Sequence, residues 1–168
     1  KPYEVSSLWV LTLATSWEFR PPMQIAICPI PFVRPMTDHE IIHVRTGETS
    51  MTDITSEVRE IVRRSGVDNG ICIVFSLHTT AGITINENAD PDVQTDMLYG
   101  LDRAFPVRDE YRHAEGNSHS HLRTSCVGPS QTIIVSDGDL LLGTWQGVYL
   151  CEFDGPRQRR VAVKVIRG

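Results

Sequence analysis

No stretch of this 168-residue sequence approaches the roughly 20 consecutive apolar residues that cross a bilayer as a helix, so no membrane is expected as a partner. Positive charge is not in excess either. Lys plus Arg number 16 against 21 Asp plus Glu, a net charge of −5, which disfavours a nucleic-acid binder relying on phosphate contacts. Neither a P-loop nor a G-x-G-x-x-G fingerprint is present, so ATP and NAD chemistry find no support. No internal repeat is visible. Cysteine is sparse and scattered: Cys28, Cys72, Cys126 and Cys151 include no C-x-x-C pair. Their even number permits two disulfides, but a chain of this size buries roughly 70% of its unfolded surface and needs no such staples. Reduced thiols in a cytoplasmic protein are the expectation, each behaving as a small buried hydrophobe. The run Leu8 to Ala14 is apolar, but Lys1 alone makes a thin basic flank, and no secretory signal is expected.

What is present is an ordinary globular composition, 40% apolar and 22% charged. Residues 1–35 stand apart, with six of the ten prolines, five of the twelve aromatics and neither glycine nor histidine. Their prolines forbid a continuous helix or central strand. Met36 reads as a natural start, making 1–35 an N-terminal extension or arm and 36–168 the domain proper. Within that domain Glu40–Arg45 reads as extended. Ile54, Val58, Ile61 and Val62 form the stripe of an amphipathic helix over 54–65, stopped by Gly66. Ile71 to Phe75 is a β-rich apolar run, expected to be a strand buried on both faces. Ile83–Glu87 alternates as a second strand. Asp90 and Pro91 then cap a helix whose buried face is Val93, Met97, Leu98, Leu101 and Phe105, and Pro106 ends it. A further helix is open around His119–Cys126. Thr132–Ser136, the Asp137-Gly138 turn and Leu140–Leu142 form a hairpin, and Trp145–Phe153 and Arg159–Ile166 are the closing strands. The fold is α+β: a single compact, strand-dominated domain, a mixed sheet or pseudo-barrel with two main helices.

Five segments are too polar or too glycine-rich for these surroundings: 78–82, 86–92, 111–117, 119–123 and 143–147. His78 stands where the most apolar strand hands over to a loop, a rigid place for a functional group. His78, His113, His119 and His121 concentrate in such positions. Three imidazoles with a vacancy make the ligand set of a catalytic zinc ion. Their spacing, however, matches no local metal motif such as H-E-x-x-H, and capped loops with solvated histidines read as well. Asp90 is explained by capping, whereas Asn86 and Glu87 are not. The glycines of 143–147 either pack closely in a sheet or let backbone N–H groups approach an anion. Arg123 and Ser130 add donors suited to phosphate.

His78-Thr79-Thr80-Ala81, Asn86 to Pro91, Tyr111-Arg112-His113, Glu115-Gly116-Asn117, Gly143 to Gly147 and Glu152 to Arg157 occur in the order seen in the YjbQ family. The chain resembles that family over about residues 36–168. The family is described as secondary thiamine-phosphate synthase. The resemblance implies a homotrimer with a polar pocket for a small phosphorylated substrate, and its histidines fall at His78, His113 and His121 as ligands of a divalent metal, zinc or magnesium. His119 departs from the pattern, standing where relatives commonly carry aspartate.

Thiamine-phosphate synthesis joins a pyrimidine methyl pyrophosphate to a thiazole phosphate and expels pyrophosphate. It calls for donors on the leaving group and carboxylates for a hard cation. Glu87, Asp90 and Arg123 are the candidates for that chemistry, Glu87 also as a base beside the histidines. Thr79, Asn86, Asn117, Ser130, Gly143, Thr144, Trp145, Gln146 and Gly147 are the expected substrate contacts. A three-histidine zinc site would instead suit metal-assisted hydrolysis, and a third reading is a non-catalytic trimer that binds a phosphorylated metabolite.

Overall fold

The computed structural model describes residues 39–168; the expectations for 1–35 lie outside them. Along the chain the elements are β1 (Glu40–Arg45), β2 (Ser50–Asp53), α1 (Thr55–Ser65), β3 (Gly70–Ser76), β4 (Ala81–Glu87), α2 (Pro91–Ala104), α3 (Ser118–Val127), β5 (Ser130–Ser136), β6 (Asp139–Leu140), β7 (Gln146–Glu152) and β8 (Gln158–Arg167). The strands divide into a five-stranded sheet, β1-β8-β3-β5-β6, and a three-stranded sheet, β2-β7-β4. Every pairing among the described residues is antiparallel, so the fold is α+β and neither of these two sheets is mixed. Asp137 and Gly138, both at positive φ, turn β5 directly into β6, while the other pairings join segments distant along the chain.

The expected stripe of α1 is buried as Val58, Ile61 and Val62, with Ile54 just before it, and Gly66 closes the helix in the left-handed region. These side chains meet Val74, Val135, Val161 and Val163 of the large sheet and Ile83, Val148 and Leu150 of the small one in one apolar core. At about 25 cal/mol per Å² this burial is the main force closing the domain.

Two burial expectations are corrected. β3 is covered on one face only: Cys72 and Val74 are buried, while Ile71 and Phe75 stay 38% and 41% exposed. The strand buried on both faces is β7. Its Val148 and Leu150 enter the main core, while Tyr149 and Cys151, with Phe153, pack against Leu98, Leu101 and Val127. The reason is coverage, since α2 and α3 contribute to that second cluster and leave the outer side of β3 bare. α2 correspondingly has no fully buried residue; Leu98 and Leu101 are half-buried, and Asp90 caps the helix by accepting from the Asp92 N–H at 2.9 Å. A third helix, α3, forms in full.

Cys72, Cys126 and Cys151 are free thiols. Burial pushes Cys72 and Cys151 up to about 12, while Cys126 is exposed. Brief iodoacetamide treatment at pH 8 followed by peptide mapping should therefore find Cys126 alkylated and Cys72 and Cys151 untouched until the protein is unfolded.

Candidate functional site

The turn carrying His78 rests on a buried ion pair. Arg159, on the inner face of β8, reaches both oxygens of Glu152 at the end of β7: Nε to Oε2 and Nη2 to Oε1, each at 2.5 Å. Thr46 Oγ1 donates to Oε2 at 2.7 Å and the Asp154 N–H to Oε1 at 2.8 Å. Burial works to raise the Glu152 carboxyl, but the hydrogen bonds from Arg159, Asp154 and Thr46 and the Arg159 charge prevail and hold it below the usual carboxylate range. Arg159 Nη2 also donates to Thr80 Oγ1 at 2.9 Å, and the Phe153 N–H to the Thr80 carbonyl at 3.2 Å. The chain between β3 and β4 is thereby fixed to β7 and β8. Neither Glu152 nor Arg159 was among the expected site residues. A signal was available: each occupies the inward phase of an alternating strand, after Val148 and Leu150 and before Val161 and Val163, where an unpaired charge would be intolerable.

Beyond the last β3–β8 pairing, Ser76 with Val161, the ladder continues by other means. The Leu77 N–H donates to the Arg160 carbonyl at 3.2 Å, and the Arg160 N–H donates to Nε2 of His78 at 2.8 Å. Burial, then the charges of Arg159, Arg160 and Arg157, lower the His78 pKa against the opposing pull of Glu152.

A cavity of about 550 Å³ opens between this segment and α3. Its polar lining is Ser76, His78, Thr79, His121, Thr124 and Ser125, with Phe75 and Leu77 adding apolar wall. Ser76 and Thr124 are 2% and 5% exposed, and neither hydroxyl has a hydrogen-bond partner. α3 is held in place by Ser120 Oγ, which donates to the Phe153 carbonyl at 2.5 Å. The Gly116 turn, at φ 75°, precedes α3 and returns the chain so that the rings of His113 and His121 meet edge-to-face, centroids 5.2 Å apart.

The remaining expected residues lie elsewhere or are engaged otherwise. Arg123 is buried and pairs with Asp102 at 2.5 Å while donating to the Phe105 carbonyl at 3.0 and 3.3 Å, so it ties α3 to the end of α2. Asn117 donates to Asp154 Oδ2 at 3.0 Å, leaving its own Oδ1 unpartnered. Ser130 pairs with Phe75 across β3 and β5. Glu87, Asn86 and Asp90 sit at the opposite end of β4 from His78, a seven-residue strand spanning roughly 20 Å. Within one chain Glu87 therefore stands a strand's length from the cavity histidines. Asn86 contacts Met97 and accepts from the Glu87 N–H. Segment 143–147 lies at that same far end: Gln146 pairs with Glu87 and the Trp145 carbonyl accepts from the Asn88 N–H. Gln146 Oε1 takes the Gly143 N–H at 2.8 Å, and Gly147 packs so closely that a Cβ there would lie 3.0 Å from Asn88. Thr144 and Trp145 are exposed. Close packing is what Gly147 serves, whereas a Cβ on Gly143 would meet only the Gln146 side chain at 3.4 Å.

The expected metal set can be tested on the donors themselves. Imidazoles sharing a tetrahedral ion at about 2.0–2.1 Å have centroids about 5 Å apart, which suits His113 and His121. His78 does not fit, because its Nε2 already accepts the Arg160 N–H. Among the described residues no three His, Cys, Asp or Glu side chains gather as a ligand set, Glu87 and Asp90 included.

The sequence pattern described as UPF0047 protein YjbQ-like matches residues 40–168, and the chain belongs to that family. The UPF0047 protein YugU of Bacillus subtilis is 51% identical over 122 residues, 72% of this chain and 92% of the relative. UPF0047 protein MJ1081 of Methanocaldococcus jannaschii is 50% identical over 116 residues, 69% of this chain and 84% of the relative. A crystal structure of a yjbq/upf0047-family protein from Clostridium acetobutylicum superposes with TM-score 0.74 at 53% identity, covering 76% of this chain and 99% of that one. A YbjQ-like protein from Sulfolobus solfataricus gives 0.74 at 34% identity, over 77% and 96%. No helix of the described residues is long and apolar enough to cross a membrane.

Glu152→Gln should leave the Arg159 guanidinium buried without its counter-charge and destabilise the domain by about 3–5 kcal/mol, read as a lower urea midpoint. Because the native carboxyl titrates below its unfolded value, its contribution is present above the unfolded pKa and is lost as pH falls through the folded one. The difference in stability between Glu152→Gln and the parent protein should accordingly shrink on acidification.

Proposed function

We propose that this chain is a small-molecule enzyme of the YjbQ type that holds a phosphorylated substrate in the cavity between β3 and α3. Thiamine-phosphate synthesis is the reaction the family resemblance points to. One observation carries the reading: the imidazoles of His78 and His121 line one cavity together with the exposed Thr79. Phosphoryl oxygens are acceptors, and the ring N–H groups and the Thr79 hydroxyl are donors suited to them. In a transfer that expels pyrophosphate, such fixed donors stabilise the charge developing on the leaving group. Free thiols among the described residues agree with a cytoplasmic setting. A homotrimer is part of this reading, supported by the uncovered row in which Ile166, Ile71 and Ile134 lie side by side across three strands, with Phe75 farther along.

A metal-dependent hydrolase is the second reading, favoured by the His113–His121 spacing. Incubation with a pyrimidine methyl pyrophosphate and a thiazole phosphate, with and without added Mg²⁺ or Zn²⁺, separates the possibilities. Thiamine phosphate as product supports the first, hydrolysis dependent on Zn²⁺ the second, and retention of pyrophosphate without turnover a binding protein. Thr79→Val should weaken pyrophosphate binding about tenfold in calorimetry while leaving the melting temperature nearly unchanged, since Thr79 is exposed. Unchanged affinity in Thr79→Val and His121→Phe would remove the basis of the proposal. Light scattering at micromolar concentration should give a trimer mass.

A further inference from the structure

We propose that His78 is locked as its Nδ1–H tautomer and serves the cavity as a neutral hydrogen-bond donor to a phosphoryl oxygen, and is not a metal ligand. The inference rests on the reading of the cavity as a phosphate site and adds the state of its central side chain. The Arg160 N–H can only donate, so the nitrogen it meets at 2.8 Å must carry a lone pair. A flipped ring would place a carbon against that N–H and is excluded by the distance. A neutral imidazole with an unprotonated Nε2 bears its proton on Nδ1, where no protein acceptor stands among the described residues.

The lock is reinforced on both sides of the ring's backbone. Leu77 before it is bonded to the Arg160 carbonyl, and Thr80 after it to Arg159 and to the Phe153 N–H. A zinc ion could recruit Nε2 only by displacing a β-sheet hydrogen bond, and Nδ1 only by removing its proton. The anion requires neither. Its oxygens accept from Nδ1–H and from the hydroxyl of the exposed Thr79 in the same cavity lining.

Long-range proton–nitrogen spectra of ¹⁵N-labelled protein read the tautomer directly, with His78 assigned by its loss in His78→Gln. The expected result is an unprotonated Nε2 and a protonated Nδ1, a shift at Nδ1 on adding pyrophosphate, and no change at His78 on adding Zn²⁺. A protonated Nε2, or Zn²⁺-induced shifts at His78, would overturn the assignment in a protein that still binds pyrophosphate. Absence of any pyrophosphate-induced heat or shift would overturn the phosphate reading and the donor role with it. Substitutions supply a second readout. Gln can accept at its oxygen and donate at its nitrogen, so His78→Gln should retain pyrophosphate affinity within about threefold, whereas His78→Phe should lose about tenfold. Equal loss in the two variants would sink the donor role.

Discussion

Glu152 and Arg159 lie seven residues apart on neighbouring stretches of chain, and both are buried. Removing two charges from water is costly, and only the paired geometry with Thr46, Asp154 and Thr80 compensates for it. That requirement makes the pair an anchor. Neither partner can move without exposing the other as an isolated buried charge, so the β7 end, the start of β8 and the turn into β4 are held in one arrangement. His78, Thr79 and the cavity wall are mounted on that turn.

The opposite wall belongs to α3, which is weakly amphipathic and is positioned by polar contacts more than by apolar ones. Ser120 binds the Phe153 carbonyl, and Arg123 binds Asp102 and the Phe105 carbonyl. This accounts for Arg123 being structural: its guanidinium joins two helices, and His121, Thr124 and Ser125 of the same helix are the side chains presented to the cavity. His119 faces differently. Burial and then the Arg123 charge lower its pKa, and its Nδ1 is buried without a partner.

The polar motifs consequently fall at two ends of one strand. His78 to Ala81 stands with α3 at the start of β4, while Asn86 to Asp90 stands with Gly143 to Gly147 at its end. The far group has its own logic: the Tyr149 hydroxyl donates to the Glu87 carbonyl and accepts from Gln94, and Gly147 lets Asn88 and Thr55 approach the backbone. Trp145, 61% exposed, projects from this end.

Local features were legible in the residues alone. The α1 stripe, its Gly66 stop, the Asp90 cap and the Asp137-Gly138 hairpin each depend on residues within a turn or two, where sterics and capping decide the backbone. The order of the motifs likewise pointed to the YjbQ family, to which the chain belongs. Coverage was not legible. An apolar run such as Ile71 to Phe75 announces a strand, but whether a helix lies over its second face depends on where distant segments pack, and here they pack on β7. Nor could spacing reveal that Glu152 meets Arg159, that Arg123 is already paired, or that Glu87 lies a strand's length from His78. Those facts follow from register and long-range contact, because a buried charge or a polar hydrogen is satisfied by whatever group the tertiary structure brings to it.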